Sequence, residues 1–208
     1  MVKSWERYGN WTVKGLLVVL LLVGLLFPDL PRFEGKAWPL RVAFYPLFAL
    51  VVPLFWLRRG RSGAYPHLAD MFLVIPFVSD TLGNVANLFD TVDITDDILH
   101  FVNWMFLVAA LVVGLASRRL ARWNRIMLGA GAGAMAIIIW ESIEYLIMVS
   151  GTTGLNLTYG DTVGDLALSA AGGVAGAMAV VLLRIGEPRA RAGPEPREGA
   201  SPTVAAPE

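Results

Sequence analysis

The chain has 208 residues, of which 56% are hydrophobic and 16% charged, and its mean hydropathy is +0.59. A soluble domain is about 45–50% apolar and about a quarter charged, so a water-soluble fold of this length could not hide so much apolar surface, whereas a bilayer accepts it as outward-facing area. Seventeen basic residues balance seventeen acidic ones, which argues against nucleic acid as a partner. The lack of cysteine excludes disulfides and thiolate metal sites. There is no P-loop or dinucleotide fingerprint, so nothing points to nucleotide binding.

Six segments have the length and polarity of spanning helices, roughly 20 residues each for a hydrocarbon core of about 30 Å. The first covers residues 12–27. Lys3, Arg7 and Lys14 precede its apolar run, as in a signal peptide, but Pro28-Asp29-Leu30-Pro31-Arg32 follows without a small-residue cleavage motif, so it reads as a retained helix. The second, 38–57, has Pro39 near its start and Pro46 and Pro53 inside, where each proline removes a hydrogen bond and predicts a bend. The third, 67–88, is the most polar, with Pro76 at its middle and Asp80, Asn84 and Asn87 beyond. His67 and Asp70, at its beginning, read as interfacial. The fourth, fifth and sixth cover 98–116, 126–149 and 163–183. Residues 1–185 therefore read as one transmembrane domain, and the proline-, alanine- and arginine-rich stretch 186–208 as a disordered tail.

Charge placement orients the bundle. Lys3, Arg7 and Lys14, then Arg58, Arg59 and Arg61, then Arg118, Arg119, Arg122 and Arg125, then Arg184, Arg189, Arg191 and Arg197 all fall on one side. The other side has only Arg32, Lys36 and Arg41, and its later connections, 89–97 and 150–162, have no basic residue. The six apolar stretches predict an all-α, six-helix, multi-pass membrane protein, and the positive-inside rule puts both of its termini in the cytoplasm. Trp5, Trp11, Trp38, Trp56 and Trp123 sit near helix ends, as interfacial anchors do. Gly129 and Gly133, and again Gly172 and Gly176, form small-xxx-small pairs that predict close helix contacts.

With this topology the polar residues gather at the outer side. Asp80, Asn84 and Asn87 are spaced i, i+4, i+7 on the third helix. Asp90, Asp93, Asp96 and Asp97 follow, of which Asp90, Asp93 and Asp97 read as a solvated loop. His100 and Asn103 lie in the first turns of the fourth helix. Glu141, Glu144 and Tyr145 fall within one turn of the fifth, and Asp161 and Asp165 are four apart at the start of the sixth. Asp161 also suits a helix N-terminus, and Asp80, Asn84 and Asn87 also suit hydrogen bonding around the Pro76 bend. Ionisable groups at membrane depth are costly, face the bundle interior and mark functional sites. Several carboxylates without a basic neighbour need a cation or shared protons. Asp96, His100, Glu141, Glu144, Asp161 and Asp165 are thus the candidate ligands of a divalent ion such as Zn²⁺, Mn²⁺ or Mg²⁺, with His100, Glu141 and Glu144 as candidate catalytic groups. Asp80, Asn84, Asn87, Asn103 and Tyr145 would line the site.

Three segments carry a resemblance. Asp96-Asp97-Ile98-Leu99-His100-Phe101, Trp140-Glu141-Ser142-Ile143-Glu144-Tyr145 and Asp161-Thr162-Val163-Gly164-Asp165-Leu166 are similar, in order and helix context, to the D-x-x-x-H-F, aromatic-E-x-x-E-aromatic and D-T-x-x-D-hydrophobic segments of YjdF-type bacterial inner-membrane proteins. The likeness covers roughly residues 80–183. More distantly the chain resembles VanZ-like proteins, but Ser169 or a neighbour stands where they have an asparagine. The nearer family implies a site and no established reaction.

Three functions fit. One is a metal-dependent enzyme acting on a lipid or lipid-linked substrate at the extracytoplasmic leaflet, the ion activating water. In this reading the cluster lacks an arginine to grip phosphate unless Arg41 or Arg32 folds in. The second is a cation or proton transporter using the same carboxylates. The third is a non-catalytic accessory protein whose polar cluster binds another membrane protein or stabilises the bundle.

Overall fold

A computed structural model of the chain describes residues 3–34, 36–115, 120–151 and 158–187. The described residues contain no strand; they form α1 (Ser4–Leu26), α2 (Trp38–Arg58), α3 (His67–Val85), α4 (Leu88–Thr91), α5 (Thr95–Leu115), α6 (Arg122–Val149) and α7 (Tyr159–Leu182), with one 3₁₀ turn at Pro31–Phe33. All but the four-residue α4 are long and apolar enough to cross a bilayer. Helices suit that solvent because each satisfies its own backbone hydrogen bonds where no water can. The chain is thus an all-helical protein of multi-pass membrane character.

Side-chain contacts establish the directions of the helices. Asn10 of α1 meets His67 and Asp70 at the start of α3, so these two helices run the same way. Arg41 and Tyr45, early in α2, meet Asp80 late in α3, so α2 runs the opposite way. Ser79 of α3 meets Asn103, near the start of α5, which makes that pair antiparallel. His100 of α5 meets Asp165 and Ser169 in the first half of α7, a second parallel pair. Arg125, in the first turn of α6, pairs with Glu187 beyond the end of α7. The bundle therefore consists of two three-helix units of opposite direction, α1–α3 and α5–α7, joined where α3 packs on α5. The beginning of α1 and the end of α7 lie at the same end.

Each unit has its own apolar core. Leu17, Leu20 and Leu21 of α1 pack with Tyr45 of α2 and with Val74, Phe77 and Val78 of α3. Val108, Ala109 and Val112 of α5 pack with Ile126 of α6 and with Ala177, Val180 and Val181 of α7. Only 6% of the apolar stretch of α2 is buried, against 56% of α3, so α2 is an outer, lipid-facing helix and α3 a central one. Both glycine pairs face α5. A Cβ at Gly172 would stand 2.0 Å from the Phe101 carbonyl oxygen, and one at Gly176 would stand 2.1 Å from that of Met105. Gly129 and Gly133 clear Val112 and Val108. Backbone meets backbone along α5 and α7, the contact that small residues permit in a membrane.

Several helix boundaries differ from the sequence expectation. α1 starts eight residues earlier than residue 12, which draws Asn10 into the helix one turn ahead of Lys14. α3 stops at Val85 because Asn87 takes a left-handed conformation (φ 61°), and the chain restarts as α4. α5 starts at Thr95, so Asp96 and His100 are one turn apart on a real helix. α7 starts at Tyr159, capped by Thr158, whose Oγ1 accepts from the Asp161 amide at 3.1 Å. Prolines 46 and 53 stay inside α2. The expected tail beyond residue 187 and the Arg118–Arg119 connection fall outside the described residues.

Two tests follow from this packing. Gly172→Ala is expected to destabilise the protein in detergent by about 1–3 kcal/mol through overpacking against Phe101, whereas Gly131→Ala, with nothing within 4 Å of the added Cβ, should leave the melting temperature unchanged or slightly higher. The depressed pKa of Glu187 gives the second. Its carboxylate accepts from Arg125 at 2.7 Å and is held below its ordinary value of 4.5 by that hydrogen bond. The pair's contribution is then present above pH 4.5 and lost as pH falls through the depressed value. The gap in melting temperature between wild type and Glu187→Gln should hold at neutral pH and close below pH 4.5, read by tryptophan fluorescence.

Candidate functional site

The α5–α7 contact creates the site. Because Gly172 and Gly176 let the two backbones touch, side chains one and two turns nearer the helix starts meet across the seam. Asp96 and His100, on one face of α5, meet Asp165 and Ser169, on one face of α7. His100 Nε2 lies 3.5 Å from Asp165 Oδ1 and 3.8 Å from Asp96 Oδ1. His100 Nδ1 lies 3.0 Å from Ser169 Oγ. One ligand atom from each of Asp96, His100 and Asp165 falls within 4.8 Å of the others, a spacing that an ion between them could bridge. Asp165 and Ser169 are buried, and His100 and Asp96 are partly so.

The proton on His100 decides what the cluster does. Ser169 can donate or accept. If Nδ1 carries the proton and donates to Ser169, the Nε2 lone pair faces the two carboxylates, which is the arrangement of a metal-binding imidazole oriented by an outer partner. If Ser169 donates to Nδ1, the Nε2 proton faces the carboxylates and His100 bridges α5 to α7 as a structural link.

Glu141 of α6 adds a second, independent feature. It is 6% exposed, and both carboxylate oxygens are buried without a hydrogen-bond partner. The charged groups around it are Asp165, His100, Asp161 and Asp96. A buried carboxylate facing other acids needs a proton or a cation. Glu144, one turn on, is within reach of the charges of Glu141, Asp96, Asp165 and Arg41. Glu141 also lines an open groove of about 620 Å³ on the α6–α7 face, together with Ile138, Ser142, Tyr145, Thr162 and Leu166.

The remaining expected residues divide by place. Asp80 is neutralised: Arg41 Nε donates to it at 2.9 Å and the Tyr45 hydroxyl at 2.7 Å, while Arg41 Nη1 donates to the Lys36 carbonyl. Arg41 thus does fold in, but its partner is Asp80, and no ion pair joins it to Asp96, Glu141 or Asp165 among the described residues. Asn84 is buried and donates to the Asp80 carbonyl at 2.9 Å, which ties it to the helix backbone. Asn87 is the left-handed hinge before α4, and Asn103 accepts from Ser79 at 2.5 Å between α3 and α5. Tyr145 and Asp161 are exposed, Asp161 in the first turn of α7. Asp93 and Asp97 are exposed as well, and Asp90 pairs with Lys36 at 2.7 Å.

A second polar cluster lies at the opposite end of the bundle. Asp70, read from the sequence as interfacial, is fully buried. Its Oδ2 accepts from Lys14 at 2.6 Å, Asn10 at 2.8 Å and Tyr65 at 2.5 Å. Lys14 also donates to the Ala49 carbonyl at 2.9 Å, and Asn10 Nδ2 lies 3.3 Å from His67 Nδ1. Burial and the hydrogen bond to Asp70 push the Tyr65 hydroxyl well above its ordinary range, so it remains a donor.

Ser169, Tyr45, Ser79 and Lys14 were missed as site residues. Ser169 follows Asp165 by four on the same face, a signal present in the sequence. Tyr45 follows Arg41 by four in the same way. Lys14 reads from the sequence only as a topogenic charge, and nothing in its local sequence marks it as the partner of a residue 56 positions away.

The Arg41–Asp80 pair can be tested directly. Each single change, Arg41→Met or Asp80→Leu, strands a partly buried charge and is expected to cost about 1–3 kcal/mol. The double variant should recover most of that loss in a thermal double-mutant cycle. No protein-family model, curated protein or solved structure matches the chain, so the functional reading rests on this geometry.

Proposed function

We propose that the chain is a metal-dependent membrane enzyme whose Asp96, His100 and Asp165 hold a divalent cation and whose substrate is a lipid or lipid-linked molecule at the extracytoplasmic leaflet. The observation that carries this reading is the convergence of three ligating side chains beside the buried, unpartnered Glu141. Two carboxylates and one imidazole suit Zn²⁺ or Mn²⁺ better than an ion that demands only oxygen, with Mg²⁺ as the harder alternative. Such an ion would lower the pKa of a bound water. Glu141 would be the group to take its proton, and Ser169, accepting from Nδ1, would hold the imidazole in the ligating tautomer. The groove on the α6–α7 face gives a bilayer-side approach to Glu141, which suits a substrate carrying an acyl or polyprenyl chain. Arg41, already paired with Asp80, would be the positive group on the same side for an anionic headgroup.

The leaflet follows from charge. The arginine-rich connections face the cytoplasm under the positive-inside rule, which puts the Asp165 end outside, and the resemblance to bacterial inner-membrane proteins points to the cytoplasmic membrane of a bacterium. The kinship with YjdF-type proteins belongs to the same proposal, since its three segments carry Asp96, His100, Glu141, Glu144, Asp161 and Asp165. The second reading, a non-catalytic accessory protein, is favoured by the other His100 tautomer, in which His100 only ties α5 to α7.

Elemental analysis of detergent-purified protein separates the two. Wild type, equilibrated with Zn²⁺, Mn²⁺ or Mg²⁺ and then desalted, should retain near-stoichiometric metal. His100→Ala and Asp165→Asn should lose it, and Ser169→Ala should bind about 10–100-fold more weakly. Wild-type protein that retains none of these ions would sink the enzyme reading in favour of the accessory one.

A further inference from the structure

The two polar clusters lie at opposite ends of the bundle, one in each three-helix unit, and their residues occupy corresponding places. In the first unit, Asn10 and Lys14 are four apart on the leading helix and face Asp70 on the third. In the second unit, Asp96 and His100 are four apart on the leading helix and face Asp165 on the third. Beyond each aspartate the buried positions keep the same spacing, with Val74, Phe77, Val78 and Thr81 on α3 and Ser169, Gly172, Gly173 and Gly176 on α7. That spacing alone is an ordinary packed helix face. The buried aspartate at its head, met by an i, i+4 polar pair from a parallel helix, is what the two units share.

We infer that these clusters are counterparts: the Asn10–Lys14–Asp70 cluster is a cation site that the chain fills with its own lysine, and the Asp96–His100–Asp165 cluster is the version left open to an exchangeable ion. The Lys14 ammonium sits as a bound cation would. It has a carboxylate oxygen at 2.6 Å and a backbone carbonyl oxygen at 2.9 Å. The buried cluster also holds Asp70 Oδ1 and Asn10 Oδ1, neither of which has a hydrogen-bond partner. The lengths agree as well. An imidazole extended by one metal–nitrogen bond of about 2.1 Å spans roughly the reach of a lysine stem, so histidine plus ion replaces lysine at the same point. The first unit thereby keeps a charge that cannot leave, which makes it a permanently closed frame. Exchange is confined to the second unit.

This inference rests on the cation reading of the second cluster, and the test separates the two. Thermal unfolding in detergent is followed for wild type and four variants, in chelator and with Zn²⁺ or Mn²⁺. Lys14→Met is expected to melt about 5–10 °C below wild type, with or without metal, because Asp70 is left buried and unpaired. Lys14→Met with Asp70→Leu should recover most of that loss. Lys14→His should melt low in chelator and rise when Zn²⁺ or Mn²⁺ is added, beyond any rise in wild type, because the ion now occupies the lysine's place. His100→Lys should match or exceed wild type in chelator and gain nothing from metal. A Lys14→His protein indifferent to both ions, or a Lys14→Met protein as stable as wild type, would overturn the self-filled site. Wild type indifferent to metal, with Lys14→His responsive, would instead remove the enzyme reading and leave the self-filled site standing.

Discussion

The direct backbone contact between α5 and α7 is the constraint on which the rest depends. Gly172 and Gly176 leave no room for a side chain against the Phe101 and Met105 carbonyls. Lipid offers no hydrophobic reason for helices to associate, so van der Waals contact between small residues has to supply it. With the seam closed, His100 faces Asp96, Asp165 and Ser169. A wider seam would let His100 and Asp165 separate, and the cluster would be three unrelated polar groups.

Low dielectric explains how the other charges are arranged. Each buried charge away from the α5–α7 seam has been given an opposite partner from another helix or from just beyond one: Lys14 for Asp70, Arg41 for Asp80, Glu187 for Arg125. Such pairs hold register more than they add stability, because desolvation offsets much of the attraction. Against this pattern the Asp96–Asp165–Glu141 group stands out. It brings three acids together with one imidazole, and Glu141 has no hydrogen-bonding partner at all. The protein pairs its charges elsewhere and leaves these acids short of positive charge, and the proposed cation site rests on that imbalance.

The division into two units of opposite direction gives this contrast a place in the fold. Both units build the same seam, a parallel pair of first and third helices with the second helix flanking. One seam is closed by a lysine, and the other meets a histidine. The flanking helices differ in kind: α2 is nearly all lipid-facing, while α6 brings Glu141 and Glu144 to the second seam and lines the groove beside it. The units are alike in construction, and of the two flanking helices only α6 adds a buried carboxylate, Glu141.

Much of this was legible without coordinates. Six apolar stretches of spanning length, the glycine pairs and the spacing of Asp96 with His100 and of Asp161 with Asp165 follow from hydropathy and helical period, which are local properties. Those same rules singled out His100, Glu141 and Asp165 as costly residues in need of a reason. They could not tell that Asp165 turns inward while Asp161, one turn earlier, stays exposed, because that depends on which face of α7 the α5 backbone covers. Nor could they find Lys14 against Asp70 or Arg41 against Asp80, since those pairs join residues 56 and 39 positions apart. Local sequence determined which segments cross and which residues are expensive to bury. Tertiary packing alone decided which charges cancel and which are left together, because Coulomb energy depends on distance through the fold and not on distance along the chain.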